Sequence, residues 1–491
     1  MKQGITIVGL GPGNPKQLTL EAHQVLLEVE DVYVRTRHHP TVASLPLGPS
    51  LHFFDHLYEE KETFAEVYEQ IARQIVELGH RPEGVIYAVP GHPLVGEESV
   101  QRILALARQQ GIGVRIVEGL GFVEPVLTCL GLDALGGLQI VDATELAALQ
   151  HPCLNPDLPA LIGQLYDWQL ASDVKLTLMN LYPDEHPVTL VRRAGTDQAR
   201  VFTIPLYELD RQPDPDHLTS LYVPPLPQPS SLETFQDTIA RLRAPGGCPW
   251  DRKQTHQSLR PHVLEEAYEA LAALDANDMD ALREELGDLL LQIVLQAQIA
   301  VEAGEFSLAQ VIEEIDAKIK RRHPHVFGDV AVADVDEVLH NWEEIKREEK
   351  GAHSVLGGVS RALPALARAQ SIQGRAALVG FDWPDAGGVV AKIAEEAAEL
   401  RGAQGSKARE RELGDLLFSV VNLARWLDVD AESALRQACE RFTERFSGME
   451  DLCGERGLSL GELSLAEQDE LWEEVKEAMS NEERVNEDRP H

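Results

Sequence analysis

The spacing of apolar positions changes character once along this chain. Up to about residue 220, β-rich apolar runs alternate with helical stretches: 4–9, 18–29, 85–89, 98–110, 114–117, and later 175–181, 189–192 and 201–206. That alternation predicts an α/β fold. Beyond residue 230 apolar residues recur at helical spacing over 231–241, 259–274, 279–303, 308–322 and 335–349, with a second set from Arg361 onward, which predicts an all-α region. Between the two patterns, residues 222–231 carry four prolines in ten positions and can continue neither a helix nor a central strand, so the main domain boundary is expected there.

The helical region is an internal repeat. Glu-Leu-Gly-Asp-Leu-Leu occurs at 285–290 and again at 412–417, each time after a Glu-Glu-x-x-Glu cluster: Glu265, Glu266, Glu269 and Glu395, Glu396, Glu399. The acids lie at i, i+3 and i, i+4 spacings, which put them on one helix face. Adjacent Leu286, Leu289, Leu290 and Leu413, Leu416, Leu417 call for burial, so the carboxylates sit beside a helix seam. Each copy reads as a helical hairpin that brings Glu-x-x-Glu against Glu-x-x-Asp, with a connection three residues shorter in the second copy. Two carboxylates about 4 Å apart repel by roughly 4 kcal/mol at an effective dielectric of about 20. Four converging acids therefore call for a cation, and Mg²⁺ is the economical one. The joint between the repeats is expected at 351–360, and a polar tail at 476–491.

At 491 residues the chain is long enough for two to four domains. Its apolar stretch at 289–301 is broken by Gln292, Gln296 and Gln298, so no membrane insertion is expected. The first strand begins too early for a secretory leader, which makes the cytoplasm the expected compartment. Five scattered cysteines form neither a disulfide framework nor a zinc knuckle. A net charge of −37 disfavours long nucleic acid as a partner. One basic island stands out: Lys318, Lys320, Arg321 and Arg322, followed by His323 and His325. It reads either as a solvated helix end or as a clamp for the phosphates of a small anionic substrate.

Over nearly all of residues 230–475 the chain resembles the MazG family of nucleoside triphosphate pyrophosphohydrolases. Gly247-Cys-Pro-Trp-Asp251 with Gln254-Thr-His256, the 321–327 stretch Arg-Arg-His-Pro-His-Val-Phe, and Gly380-Phe-Asp-Trp-Pro384 carry that resemblance together with the acidic clusters. It implies an all-α fold with Mg²⁺ held by Glu266, Glu269, Glu285 and Asp288, or by Glu396, Glu399, Glu412 and Asp415. It also implies cleavage of a nucleoside triphosphate to monophosphate and pyrophosphate. Glu265 and Glu395 would orient water or hold a further metal, unless they are outward capping or solvated groups. Lys392, one turn before Glu396, can reach a phosphate where the first copy has His262, which favours the second site. Lys318, Arg321 and Arg322 keep the family's basic helix in the first copy, where the second has Arg441, Glu444 and Arg445. Trp250 and Trp383 read as base-stacking groups or as buried anchors.

Residues 4 to about 225 resemble the tetrapyrrole (corrin and porphyrin) methylases. The opening Val8-Gly-Leu-Gly-Pro-Gly-Asn14, the loop Pro90-Gly-His-Pro93, Met179 in the 178–182 segment, and Gly195-Thr196 occur in the family's order. The resemblance implies two α/β lobes with S-adenosylmethionine in the cleft between them, touching Pro12, Gly91, His92, Val95, Met179 and Gly195. Gly91-His92-Pro93 stands where the family usually has Gly-Asp-Pro, and Glu118-Gly-Leu-Gly121 where it has Pro-Gly-x-Ser, which leaves the methyl acceptor open. The whole arrangement resembles the YabN-type fusion proteins.

The expected architecture is therefore multidomain, with a methylase-like α/β domain over 1–225 and MazG-like helical repeats over 230–350 and 361–475. The leading functional expectation is a nucleotide hydrolase with a methylase-like domain of open substrate. The alternative is a nucleotide-binding regulatory protein with a non-catalytic methylase-like scaffold. A lone hairpin buries one face only, so the repeats should pair with each other or with a second chain, and a homodimer is expected.

Overall fold

The computed structural model describes residues 4–45, 49–213, 215–349, 355–357 and 359–487. They form two compact units, Met1–Arg241 and Leu242–His491. Most of the expected inter-repeat joint falls outside the described residues.

The first unit has two five-stranded sheets. The first comprises β1 (Ile5–Gly9), β2 (Asp31–Val34), β3 (Ser50–Phe53), β4 (Val85–Val89) and β5 (Val114–Val117), all parallel in the order β3-β2-β4-β1-β5. β4 is buried at every position, as a strand covered on both faces must be. One cover is the Phe64–Gly79 helix, which starts at a reciprocal capping box of Thr63 and Glu66 and buries Val67, Ile71, Ile75 and Val76. The second sheet comprises β6 (Gln139–Asp142), β7 (Ala160–Gly163), β8 (Pro187–Arg192), β9 (Arg200–Pro205) and β10 (Thr219–Val223) in the order β6-β7-β10-β8-β9. Only its β6 and β7 run parallel; the other pairs are antiparallel. The 175–181 run is the end of the Trp168–Leu178 helix, whose Val174 and Leu178 enter the second sheet's core.

The proline-rich stretch is tied down rather than free. Leu226 N donates to Pro156 O at 2.8 Å, while the Asp157 carboxylate accepts from Ser230 N at 2.7 Å and Ser231 Oγ at 2.6 Å. These bonds, Ser231's foremost, hold the Asp157 carboxyl down to about 2. The division between the units falls later, within the Leu232–Arg243 helix.

The second unit is helical. Its first hairpin pairs Arg260–Asp275 with Met279–Ala303, and its second pairs Ala386–Gly402 with Ser406–Trp426. Asp278 caps the returning helix of the first by accepting from Asp280 N and Ala281 N, and Asp385 opens the second by accepting from Gly388 N. Both turns take three residues, 276–278 and 403–405. The expected length difference therefore lies in the leading helix, which runs further beyond the acids in the first copy. The two repeats touch where Arg436 donates to Asp275 Oδ2 through Nε at 2.9 Å and a terminal nitrogen at 2.6 Å.

Two expectations change. The stretch assigned to a polar tail is helical through Glu487, in a helix whose Leu471 and Val475 pack on Met449 and Cys453; residues 488–491 lie outside the described residues. Met279–Ala303 is, by length and composition, one helix among the described residues apolar enough to cross a membrane, because its many Leu, Ile, Val and Ala residues outweigh the three glutamines. That same helix carries Glu285 and Asp288. All five cysteines are free thiols.

Candidate functional site

Each hairpin of the second unit brings three carboxylates together. In the first copy Glu266, Glu285 and Asp288 each place a ligand atom within 4.8 Å of the others, and all three are half-buried. The fourth expected ligand, Glu269, is exposed and outside that triple, though close enough to help push the Glu266 carboxyl up. Burial is the larger cause there, with Asp288 next. The Glu285 carboxyl is likewise raised, by burial and then by Glu269 and Asp288.

In the second copy the triple is Glu396, Glu399 and Glu412. Asp415 is exposed and stands outside it. This site is drier: Glu396 is 5% and Glu412 7% exposed. Glu396 drives the Glu399 carboxyl up, followed by burial and Glu412. One Glu396 oxygen is 2.7 Å from Lys392 Nζ, and the other, Oε2, is buried without a hydrogen-bond partner. A buried, unpaired carboxylate oxygen beside two further carboxylates suits a divalent cation, so the donor set fits Mg²⁺.

The neighbouring expected groups are engaged. Lys392 also reaches Glu395 at 2.9 Å, and the bonds to Glu396 and Glu395 raise its pKa. Glu265 faces His262 at 3.4 Å. Lys318 is half-buried on the Leu308–Arg322 helix. Arg321 and Arg322 both grip Glu349, at 2.6 and 2.5 Å, and hold its carboxyl down to about 2, Arg322 foremost. The buried-anchor reading fails for both tryptophans, since Trp250 is 59% and Trp383 42% exposed.

In the first unit the glycine pattern works through close backbone approach. A Cβ on Gly9 would lie 2.6 Å from Gly119 N and 2.7 Å from Gly91 O, and one on Gly119 would lie 2.4 Å from Gly91 O. Three loops thus meet backbone to backbone at the carboxyl ends of β1, β4 and β5, and Gly11 and Gly91 exchange hydrogen bonds of 3.2 and 2.8 Å. Such ends are where open α/β sheets bind ligands. A cavity of about 140 Å³ opens there, lined by Pro12, Gly91 and Val95 from the expected cofactor set. The others do not line it. Met179 packs against the second sheet's core, His92 Nδ1 accepts from Leu94 N, and Gly195 backs onto Gln17, Pro12 and Pro125.

Sequence reasoning missed the cavity's polar lining: Arg35, His39, Glu97, Gln164 and His217. Arg35 directly follows β2, and a charged residue just past a parallel strand's carboxyl end was the available signal.

The tetrapyrrole (corrin/porphyrin) methylase family matches residues 4–210, and the MazG nucleotide pyrophosphohydrolase domain matches 254–327 and 388–448. The chain is 42% identical to the uncharacterized protein YabN of Bacillus subtilis, over 96% of this chain and 98% of that one. It belongs to the methylase and MazG fusion family that includes YabN. Its second unit is also 49% identical to the nucleoside triphosphate pyrophosphohydrolase/pyrophosphatase MazG of Thermotoga maritima, over 50% of this chain and 95% of that protein. A nucleoside triphosphate pyrophosphohydrolase of Escherichia coli is 48% identical over 50% of this chain and 97% of its own length. Both acidic hairpins fall largely within the two segments that match the MazG domain.

Proposed function

We propose that this protein is a Mg²⁺-dependent nucleoside triphosphate pyrophosphohydrolase that releases a nucleoside monophosphate and pyrophosphate. The observation that carries the reading is the convergence of buried Glu396 and Glu412 with exposed Glu399, and the unpaired Glu396 oxygen among them. The named activity of the Thermotoga and Escherichia relatives supports it. When bound, Mg²⁺ lowers the pKa of water and offsets charge developing on the phosphoryl oxygens. The two triples are the metal ligands, with Glu269 and Asp415 completing each set at its rim. Glu395 and Glu265 orient water, and Lys392 holds Glu396 until a phosphate competes for its ammonium. Lys318, Arg321 and Arg322 form a phosphate clamp that Glu349 occupies in the free protein. Incubating the chain with nucleoside triphosphates and Mg²⁺ yields monophosphate and pyrophosphate, and a chelator stops the reaction. Orthophosphate with diphosphate as the only products rejects the reading.

The first unit is proposed to bind S-adenosylmethionine at the glycine-lined ends of β1 and β4, against Pro12, Gly91 and Val95, with His92, Met179 and Gly195 shaping the loops around it. The methylase family match and the backbone approach of Gly9, Gly91 and Gly119 support this. Calorimetry on the full chain should register binding. At a hundred times its dissociation constant the ligand stabilises the unit by about 2.7 kcal/mol. Neither heat nor thermal stabilisation at millimolar ligand removes the cofactor. The proposed compartment is the cytoplasm, with long nucleic acid disfavoured as a partner by the net charge of −37 and membrane insertion disfavoured by Glu285 and Asp288 on the apolar Met279–Ala303 helix.

A further inference from the structure

The first repeat's basic helix is closed by one carboxylate. Arg321 brings Nε and a terminal nitrogen to Glu349 Oε1 at 2.7 and 2.6 Å, and Arg322 brings the same two groups to Oε2 at 3.1 and 2.5 Å. Both oxygens are thus engaged twice, in the forked geometry that arginines give to a phosphate. The Glu349 and Arg322 side chains are 18% and 14% exposed. Glu349 ends the Val335–Glu349 helix, whose Trp342 ring lies under the Arg322 guanidinium at 5.4 Å and under Lys346 Nζ at 4.2 Å. The second repeat rebuilds this arrangement with one change. Trp472-Glu-Glu-Val-Lys476 repeats Trp342-Glu-Glu-Ile-Lys346, and Arg445 lies over Trp472 at 5.8 Å as Arg322 lies over Trp342. In that register Met479 stands where Glu349 does. Among the described residues no carboxylate pairs with Arg441 or Arg445.

We propose that Glu349 is an internal competitor for phosphate, which keeps a nucleoside triphosphate out of the first repeat and directs it to the second. The inference rests on the clamp reading given above and adds which copy is open. A tethered carboxylate meets the two arginines at a high effective concentration, whereas a triphosphate meets them only at its concentration in solution. A clamp that is open for a small fraction of the time binds its ligand more weakly by that fraction. Ion pairs add little net stability, whether exposed or buried, so tethering one helix to another does not by itself account for two arginines on one carboxylate. Met479, by contrast, is uncharged and packs against the core of Met449, Cys453, Leu471 and Val475, which leaves Arg441 and Arg445 to an incoming anion.

The test is calorimetric titration of the full chain, in excess Mg²⁺, with an α,β-methylene nucleoside triphosphate, in which the bond to be cleaved is blocked. The wild type should take up one equivalent per chain. Glu349→Gln and Glu349→Met should each take up two, the added site binding at least about ten-fold more tightly than in the wild type, as expected when a charge-assisted competitor is removed. Adding Arg321→Gln and Arg322→Gln to Glu349→Gln should abolish the added equivalent, which locates it at the clamp. Thermal unfolding reports that each variant is folded, and the Met replacement is the one the second repeat already carries at this place. Two equivalents on the wild type overturn the proposal without any variant. A single equivalent on the folded Glu349 variants also overturns it, by making Glu349 a tie between helices and nothing more. If the wild type binds none and the Glu349 variants bind one, the second repeat's assigned role fails and the role of Glu349 stands. Binding to neither overturns both.

Discussion

Replacing Glu412 with Gln is expected to lower nucleoside triphosphate hydrolysis by at least about 100-fold, or about 2.7 kcal/mol of transition-state stabilisation. The pair Glu285→Gln with Asp288→Asn is expected to lower it less than about three-fold. The difference rests on burial. Glu396 and Glu412 are already out of water at 5% and 7% exposure, whereas Glu266, Glu285 and Asp288 remain half-solvated. A cation interacts more strongly with carboxylates in the drier surroundings, and the protein has already met the cost of desolvating them. The unpaired Glu396 Oε2 has no counterpart among the first copy's acids. Asp415→Asn alone should cost less than Glu412→Gln, because Asp415 is exposed and outside the triple. Initial rates at saturating Mg²⁺, with pyrophosphate release as readout, decide this. If the Glu285 and Asp288 pair silences the enzyme while Glu412→Gln does not, the first repeat is the active one.

The helices of the second unit were legible because a 3.6-residue period over a dozen or more positions leaves little ambiguity, and the repeated spacing of the acids foretold that they would cluster in each hairpin. What the spacing could not settle is which three of four acids converge. Glu269 and Glu399 occupy the same place in their copies, yet only Glu399 joins its triple. That depends on how each helix rotates against its partner, which is a packing outcome. In the first unit the glycines at 9, 11 and 13 were a weak signal alone, and their meaning lies in contact with Gly91 and Gly119, far along the chain. Arg35, Glu97 and Gln164 were invisible for the same reason. Each comes from a different loop, and only the pairing of β2 with β4 and the facing second sheet bring them together. The proline-rich stretch follows the last strand of the first unit, where regular structure was expected to end, but the bonds from Asp157 hold it to that unit and the division falls later, in the Leu232–Arg243 helix.

In solution the protein is expected to be a homodimer of twice 54.3 kDa. Leu286, Leu290 and Ile293 follow one another at i, i+4 and i+7 on Met279–Ala303, and they are 53%, 42% and 51% exposed. Leu413, Leu417 and Val420 repeat the pattern on the second hairpin at 47%, 49% and 46%. The repeats touch through Arg436 and Asp275, but that ionic contact leaves these faces uncovered. Burying such a side chain fully is worth about 1.5–3 kcal/mol, against an association cost of about 4–15 kcal/mol. These side chains are already about half-buried, so three from each copy recover roughly 4–9 kcal/mol, within the range of that cost, and both faces together are needed to exceed most of it. Membrane insertion would instead bury Glu285 and Asp288 in hydrocarbon, at a cost of several kcal/mol. Leu290→Lys with Ile293→Lys places like charges opposite one another across the two-fold and should return the variant to 54.3 kDa by light scattering. A wild-type mass of 54.3 kDa across a wide concentration range would reject the dimer.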